Sequence, residues 1–153
     1  MLTAWLDWHR ETLALKCAGL TDAQLRERSA PPSTLSLLGL VRHMADVERA
    51  WFRRVLARED APPIHYGPDD PDGDFDNVDT ASAAEAFATW RAEVEHAREL
   101  VAAQPDLEVT GVSQRTGKTV SLRWILVHMI EEYARHNGHA DILRERIDGS
   151  KGA

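Results

Sequence analysis

The 153-residue chain carries 18 Lys and Arg residues against 25 Asp and Glu residues, for a formal net charge of −7, and 43% of its residues are hydrophobic. This composition excludes disordered and collagen-like chains and predicts a single globular domain over residues 1–153. The single cysteine, Cys17, excludes an internal disulfide. No apolar run approaches the roughly 18 residues of a membrane span, and the amphipathic, acid-containing N-terminus differs from a signal peptide. We therefore expect a cytoplasmic protein with no membrane partner.

The negative charge is concentrated in one segment. Eight acidic residues and no Lys or Arg lie between Glu59 and Asp79, so the rest of the chain is nearly neutral. Outside this segment, charges alternate in sign along predicted helices and form no basic stripe, which argues against nucleic-acid binding. Within it, Asp70 to Asp74 resemble the start of a calcium loop, but Phe75 stands where that loop requires glycine. We interpret the segment as a solvated loop.

The N-terminal half predicts two amphipathic helices. The first extends from about Leu2 to Ala18, and its expected buried stripe is Leu2, Trp5, Leu6, His9, Leu13 and Cys17. Because no base neighbours Cys17 in the sequence, we interpret it as an inert core thiol. The second helix begins after Pro31–Thr34 and ends near Arg58. We expect its polar face to be solvated, namely Arg42, Asp46, Arg49 and Arg53.

Two further helices are predicted downstream. The third begins near Asp79–Thr80, with Ser82 and Glu85 at the spacing of a capping box. The fourth begins near Thr119 or Ser121 and ends at Gly149, a residue suited to a left-handed helix terminus. A helical turn at Thr21–Arg28 and a short extended run at Leu107–Val112 complete the pattern. The fold class is therefore all-α, a four-helix bundle in which the long loops allow at least one connection to cross the bundle.

The fourth predicted helix carries polar residues on its buried side. At about 100° per residue, His136 lies within the apolar stripe, and Glu132 lies one turn earlier on its flank. A carboxylate and an imidazole at this spacing can bind one divalent ion, but a third ligand must come from another helix. His43, at the border of the second helix's apolar stripe, is the first candidate, and His9 is the second. The alternative is a structural hydrogen-bond network, and His128 and His139 extend the same polar flank.

Glu48 is a second polar residue on an apolar face. It points to the buried side of the second helix, where an unpaired carboxylate is costly, so we expect a partner. Arg10 or a histidine of the fourth helix would serve, and a structural ion pair is favoured over a catalytic role. Trp8 and Trp124 lie off the predicted stripes and are candidates for a dimer surface.

Two segments resemble the DinB-like superfamily, including its subset related to mycothiol-dependent maleylpyruvate isomerases. They are LVRHMADVERAWF (residues 40–52) and SLRWILVHMIEEYARHNGHADILRERIDG (residues 121–149). Arg10 and the turn at Leu20–Asp22 are also similar, so the likeness spans nearly the whole chain. It implies a four-helix bundle with a long crossover, often dimeric, that binds a divalent metal such as zinc or nickel.

The resemblance also implies a site and an activity. Its metal ligands correspond to His43, Glu132 and His136 in this sequence. It implies a thiol-dependent S-transferase or isomerase, with a low-molecular-weight thiol and a small electrophile as partners and a homodimer as the assembly. Two alternatives remain at this point, a non-catalytic dimeric bundle and a metal-dependent hydrolase.

Overall fold

The computed structural model describes residues 1–113 and 115–152. Its helices are α1 (Leu2–Cys17), α2 (Asp22–Arg26), α3 (Leu37–Glu48), α4 (Gly73–Asp76), α5 (Ala83–Ala102) and α6 (Leu122–Asp148). A π-helical segment, Arg49–Leu56, continues α3, and a 3₁₀ turn, Asn77–Asp79, follows α4. The strands β1 (Thr110–Val112) and β2 (Thr119–Ser121) pair antiparallel, with Gly111 opposite Val120. The predicted all-α fold is confirmed, and no helix within the described residues is long and apolar enough to cross a membrane.

Helices α1, α3, α5 and α6 form the four-helix bundle. Two contacts give the direction of α1 relative to α6: His9 with Asn137, and Lys16 with Asp141. Two others give the direction of α3 relative to α6: His43 with His136, and Trp51 with His128. Helix α1 is therefore parallel to α6, and α3 is antiparallel to α6. Because α3 also contacts α5 in parallel register, the connection over residues 57–82 must return along the length of the bundle. This is the crossover that the loop lengths predicted.

Side-chain caps set the helix boundaries. The hydroxyl of Ser121 accepts the backbone N–H of Trp124 at the start of α6, and Gly149 ends that helix with φ of 80°, as predicted. Ser82 caps α5 by accepting the N–H of Glu85. Helix α3 begins later than predicted, because its capping hydroxyl is that of Ser36, which accepts the N–H of Gly39, rather than one at positions 33–34.

The wider π-helical segment and the β-hairpin pack against each other through their backbones. A Cβ atom on Gly111 would lie 2.1 Å from the carbonyl oxygen of Val55, so only glycine permits this approach. The helical period of the sequence predicted a helix here but not its π form. Such segments occur frequently at functional sites, and this one forms part of a pocket wall described below.

The expectation of a solvated face on the second helix is wrong, whereas most acids of the 59–79 segment are exposed as expected and Asp74 is the buried exception. Asp46 is buried, and its carboxylate accepts the N–H groups of Ile64 and His65 at 2.7 and 2.9 Å. Arg42 donates to the carbonyl oxygens of Gly73 and Asp74. These side chains of α3 therefore satisfy backbone groups of the acidic segment and hold it on the bundle. Trp5, expected inside, is also 53% exposed, and Arg10 occupies the buried side of α1 instead.

A hydrogen-bonded polar network lies at the centre of the bundle. The guanidinium of Arg10 donates two bonds to the carboxylate of Glu48, at 2.8 and 2.7 Å, as the sequence predicted. The hydroxyl of Tyr133 donates to Glu48 at 2.7 Å, and the indole N–H of Trp90 donates to that hydroxyl at 2.9 Å. Burial, followed by the charge of Glu48, raises the pKa of Tyr133, so the phenol stays protonated and keeps its donor role. The network joins α1, α3, α5 and α6.

Replacing Glu48 alone is expected to destabilise the protein far more than replacing both Arg10 and Glu48. Glu48→Leu leaves the Arg10 charge buried without a partner and should lower the free energy of unfolding by about 3–5 kcal/mol. The double variant Arg10→Met/Glu48→Leu removes both charges and should recover at least half of that loss. Urea unfolding followed by tryptophan fluorescence measures both. A double variant as unstable as Glu48→Leu would contradict the buried-charge explanation.

Candidate metal centre

The structure brings together the three residues that the sequence singled out. His43 lies on α3, and Glu132 and His136 lie one turn apart on α6. One potential ligand atom from each residue lies within 4.8 Å of the other two. The antiparallel packing of α3 against α6 produces this convergence, and it places the His43 and His136 rings 4.8 Å apart. We call these three residues the triad.

His136 is buried and is held in its neutral form. Burial, followed by the nearby His43 and His139 rings, lowers the pKa of His136 to about 3. Its buried Nε2 atom has no hydrogen-bond partner among residues 1–113 and 115–152. The nearest carboxylate oxygen of Glu132 is 3.5 Å away and does not form a hydrogen bond with it. A buried, unpartnered imidazole nitrogen is unfavourable unless it binds something, and a divalent cation would satisfy it.

His43 is oriented by residues from the acidic segment. Its Nδ1 lies 2.7 Å from a carboxylate oxygen of the buried Asp74, and the Phe75 ring stacks on the imidazole at 4.9 Å. This contact occupies Nδ1 and leaves Nε2 as the nitrogen available to an ion. A carboxylate behind a ligating histidine is the usual way in which proteins fix the tautomer and the ring. Asp74 was not predicted from the sequence, because this residue lies in a run of acids that was interpreted as solvated.

The spacing of Glu132 and His136 fits a divalent ion, and the three ligand atoms of the triad lie within 4.8 Å of one another. Two ligands of a tetrahedral zinc ion, each bound at about 2.1 Å, lie about 3.4 Å apart. The distance between His136 Nε2 and Glu132 Oε2 is 3.5 Å. Two imidazoles and one carboxylate are also a donor set typical of zinc and nickel. The residues present therefore fit the ion that the resemblance implies.

The other candidate histidines lie around the triad rather than in it. His9, the second choice for the third ligand, is held on α1 by Asn137, which donates to its carbonyl oxygen at 3.0 Å. His139 contacts His136 through their Nδ1 atoms, 3.3 Å apart. His128 stacks on Trp124, with ring centroids 4.9 Å apart, and its Nε2 lies 3.5 Å from Glu132. Cys17 is remote and buried, and burial raises the pKa of its thiol to about 12, which supports its interpretation as inert.

A pocket of about 650 Å³ adjoins the triad, and His43 and Glu132 form part of its lining. The π-helical segment contributes Trp51 and Arg54, α6 contributes Trp124 and His128, and the β-hairpin contributes residues from Ser113 to Val120. The rings of Trp51 and Trp124 lie 5.2 Å apart. The pocket is large enough for a small organic molecule, and its aromatic surface would shield that molecule from water.

The sequence profile of the mycothiol S-transferase family matches residues 1–149. The chain belongs to the mycothiol S-transferase family. This confirms the predicted relationship to the DinB-like superfamily. No curated protein with significant similarity was found.

A solved structure supports the fold of this family member. It is the crystal structure of a conserved protein from Enterococcus faecalis, which aligns with a TM-score of 0.73 over 97% of this chain and 96% of that chain. The sequences are 17% identical. At that identity the likeness establishes a shared architecture, and the chemistry must be argued from the residues of the triad and the pocket.

The pKa of His136 predicts how the stability of the metal-free protein depends on pH. Its folded-state pKa of about 3 lies below the ordinary value of 6.5, so the unfolded chain takes up a proton first as the pH falls. The contribution of neutral His136 is complete above pH 6.5 and is lost progressively towards pH 3. From pH 7 to pH 5, the chelator-treated protein should lose about 1–2 kcal/mol more stability than His136→Gln, measured by urea unfolding. Equal losses would show that His136 titrates normally.

Proposed function

We propose that this member of the mycothiol S-transferase family is a divalent-metal-dependent enzyme that joins the sulfur of mycothiol to small electrophiles. His43, Glu132 and His136 are the proposed ligands. The observation that carries the proposal is the buried, unpartnered Nε2 of His136 inside the triad. The family match over residues 1–149 supports the thiol and the type of transfer.

The proposed metal is zinc or nickel, and three protein ligands leave coordination space for a substrate atom. A bound divalent cation lowers the pKa of a thiol beside it, which supplies thiolate, the nucleophilic form, at neutral pH. Zinc and nickel both accept the donor set of the triad, and elemental analysis of the purified protein would distinguish them.

The protein's own residues position the reactants and exclude water. Asp74 holds the His43 ring through Nδ1, and Arg42 anchors the backbone that carries Asp74. Trp51 and Trp124, whose rings are inclined at 52°, supply an apolar aromatic surface for an electrophile beside the triad. An electrophile lying on that surface would be held close to the thiol, and this proximity lowers the entropic barrier to the reaction. No covalent bond to the protein is needed.

The proposal also includes a homodimer in the cytoplasm, with no nucleic-acid or membrane partner. Trp5 and Trp8 are 53% and 52% exposed on α1, with ring centroids 5.8 Å apart, and they offer an apolar contact surface for a second copy. The exposure of Trp8 agrees with its position off the predicted stripe. Trp124, the other residue predicted for a dimer surface, is 45% exposed and lines the pocket.

Metal binding should depend on the triad and not on a histidine that lies outside it. Protein loaded with zinc or nickel and then dialysed should retain about one ion per chain by elemental analysis. His136→Ala should lower metal affinity at least 100-fold while its circular dichroism stays helical. The matched control is His96→Ala, a half-exposed histidine of α5 that bonds Glu59, and it should bind as the wild type does. A wild-type protein that retains neither metal would refute the site and favour a structural network.

Activity should require both the metal and the thiol. With mycothiol and 1-chloro-2,4-dinitrobenzene, the loaded protein should form the thioether, and Glu132→Gln or chelation should reduce the rate at least tenfold. Asp74→Asn should retain activity but with weakened metal affinity, because the bond to His43 Nδ1 is altered rather than a ligand lost. Turnover of an ester in the absence of thiol, with no thioether formed, would identify a hydrolase instead.

A further inference from the structure

Four basic side chains line the pocket. They are Arg54 of the π-helical segment, Arg115 and Lys118 of the β-hairpin, and Arg135 of α6. Within residues 1–113 and 115–152, none of these four side chains pairs with a carboxylate. Most of the other arginines do, as Arg49 and Arg53 do with Glu93. The four cations therefore remain available to a ligand.

Three of the four acidic residues that line the same pocket have partners, and the fourth, Asp72, is exposed. Both oxygens of Asp46 accept backbone N–H groups, Asp74 is bonded to His43 and to the N–H of Phe75, and Glu132 belongs to the triad. The lining therefore holds equal numbers of acidic and basic side chains, and apart from the exposed Asp72 it is the basic ones that lack a close partner in the described part of the chain. A guanidinium without a close partner favours an anionic group of a ligand.

Arg54 is the most informative of the four. It is half-buried, and its contact with the hydroxyl of Tyr66 is long, at 3.4 Å. A partly desolvated guanidinium without a carboxylate is unfavourable, and its planar fork matches a carboxylate with two parallel hydrogen bonds. Trp51, three residues earlier, faces the same pocket and adds an apolar surface beside this charge.

We infer that the electrophilic substrate carries a carboxylate, which Arg54 binds while Arg115 and Lys118 attract it from the hairpin. This inference rests on the proposed function, because it assigns the electrophile to the pocket beside the triad. The carboxylate is a recognition group and takes no part in bond making. With an activated aryl chloride, the sulfur of the thiolate forms a C–S bond and the C–Cl bond breaks. Chloride leaves with the electron pair of that bond, and the proton of the thiol passes to solvent.

A matched pair of electrophiles tests the inference in the metal-loaded protein. 4-Chloro-3,5-dinitrobenzoate and its methyl ester differ in the negative charge, and each rate with mycothiol is divided by its uncatalysed rate. The normalised kcat/KM should favour the acid at least tenfold. Arg54→Gln should reduce that preference about tenfold, the size of one charge-assisted hydrogen bond. The exposed pair Arg115→Gln/Lys118→Gln should reduce it about threefold, with the smaller effect typical of solvated charges, and should do so less at high salt.

Arg91→Gln is the matched control. Arg91 is an exposed arginine of α5 outside the pocket, so the variant has the same change in net charge and should keep the full preference. Equal normalised rates for acid and ester in an active enzyme would overturn the inference and leave the proposed function intact. An Arg54→Gln variant that raises the KM for mycothiol equally with both electrophiles would also overturn it, because the cations would then bind the thiol.

A binding measurement separates this inference from the proposed function. Isothermal titration of the metal-free protein, without thiol, compares 3,5-dinitrobenzoate with its methyl ester. Tighter binding of the acid, lost in Arg54→Gln and kept in Arg91→Gln, would support the anion site even if no transferase activity were found. Binding of the acid that is no tighter than that of the ester, or is absent, would overturn it.

Discussion

The geometry of this protein depends on the hydrogen bonds made to the buried carboxylate of Glu48. This carboxylate receives hydrogen bonds from Arg10 of α1 and Tyr133 of α6, and through Tyr133 it is linked to Trp90 of α5. Burial disfavours the charged form of Arg10, but Glu48 and Asp7 more than offset this and raise its pKa above the ordinary value. Apolar packing tolerates small slips between helices, whereas directional bonds to one buried carboxylate do not. The network therefore fixes the register of the four main helices.

That register determines the site. His43 lies five residues before Glu48 on α3, and His136 lies three residues after Tyr133 on α6. Because α3 and α6 are antiparallel, a bond between Glu48 and Tyr133 brings His43 opposite His136 and places Glu132 beside them. A shift of one helical turn, about 5.4 Å, would separate the imidazoles beyond the reach of one ion. The same buried bonds that stabilise the bundle thus position the triad.

Part of the triad could be predicted from local and periodic signals. Glu132 and His136 have helical i, i+4 spacing beside a buried stripe, and His43 lies at the edge of another, but it was the resemblance to the DinB-like superfamily that implied His43 rather than His9 as the third ligand. Asp74, Arg42 and Asp46 could not be assigned in this way. Their partners are backbone groups and side chains of an irregular segment, and neither charge nor periodicity shows that a run of acids will fold against a helix. The π-helical form of Arg49–Leu56 likewise depends on tertiary packing, since its residues keep an ordinary helical pattern.

The use of acidic residues inside the fold also explains why an acidic chain leaves arginines of its pocket without carboxylate partners. Asp46 accepts backbone N–H groups, Asp74 orients an imidazole, and Glu93 pairs with Arg49 and Arg53. Each carboxylate used in this way is unavailable to Arg54, which the π-helical segment directs into the pocket. The groups that can bind a ligand at the site are those that the fold leaves without close partners, and here they include Arg54 of the pocket beside the triad.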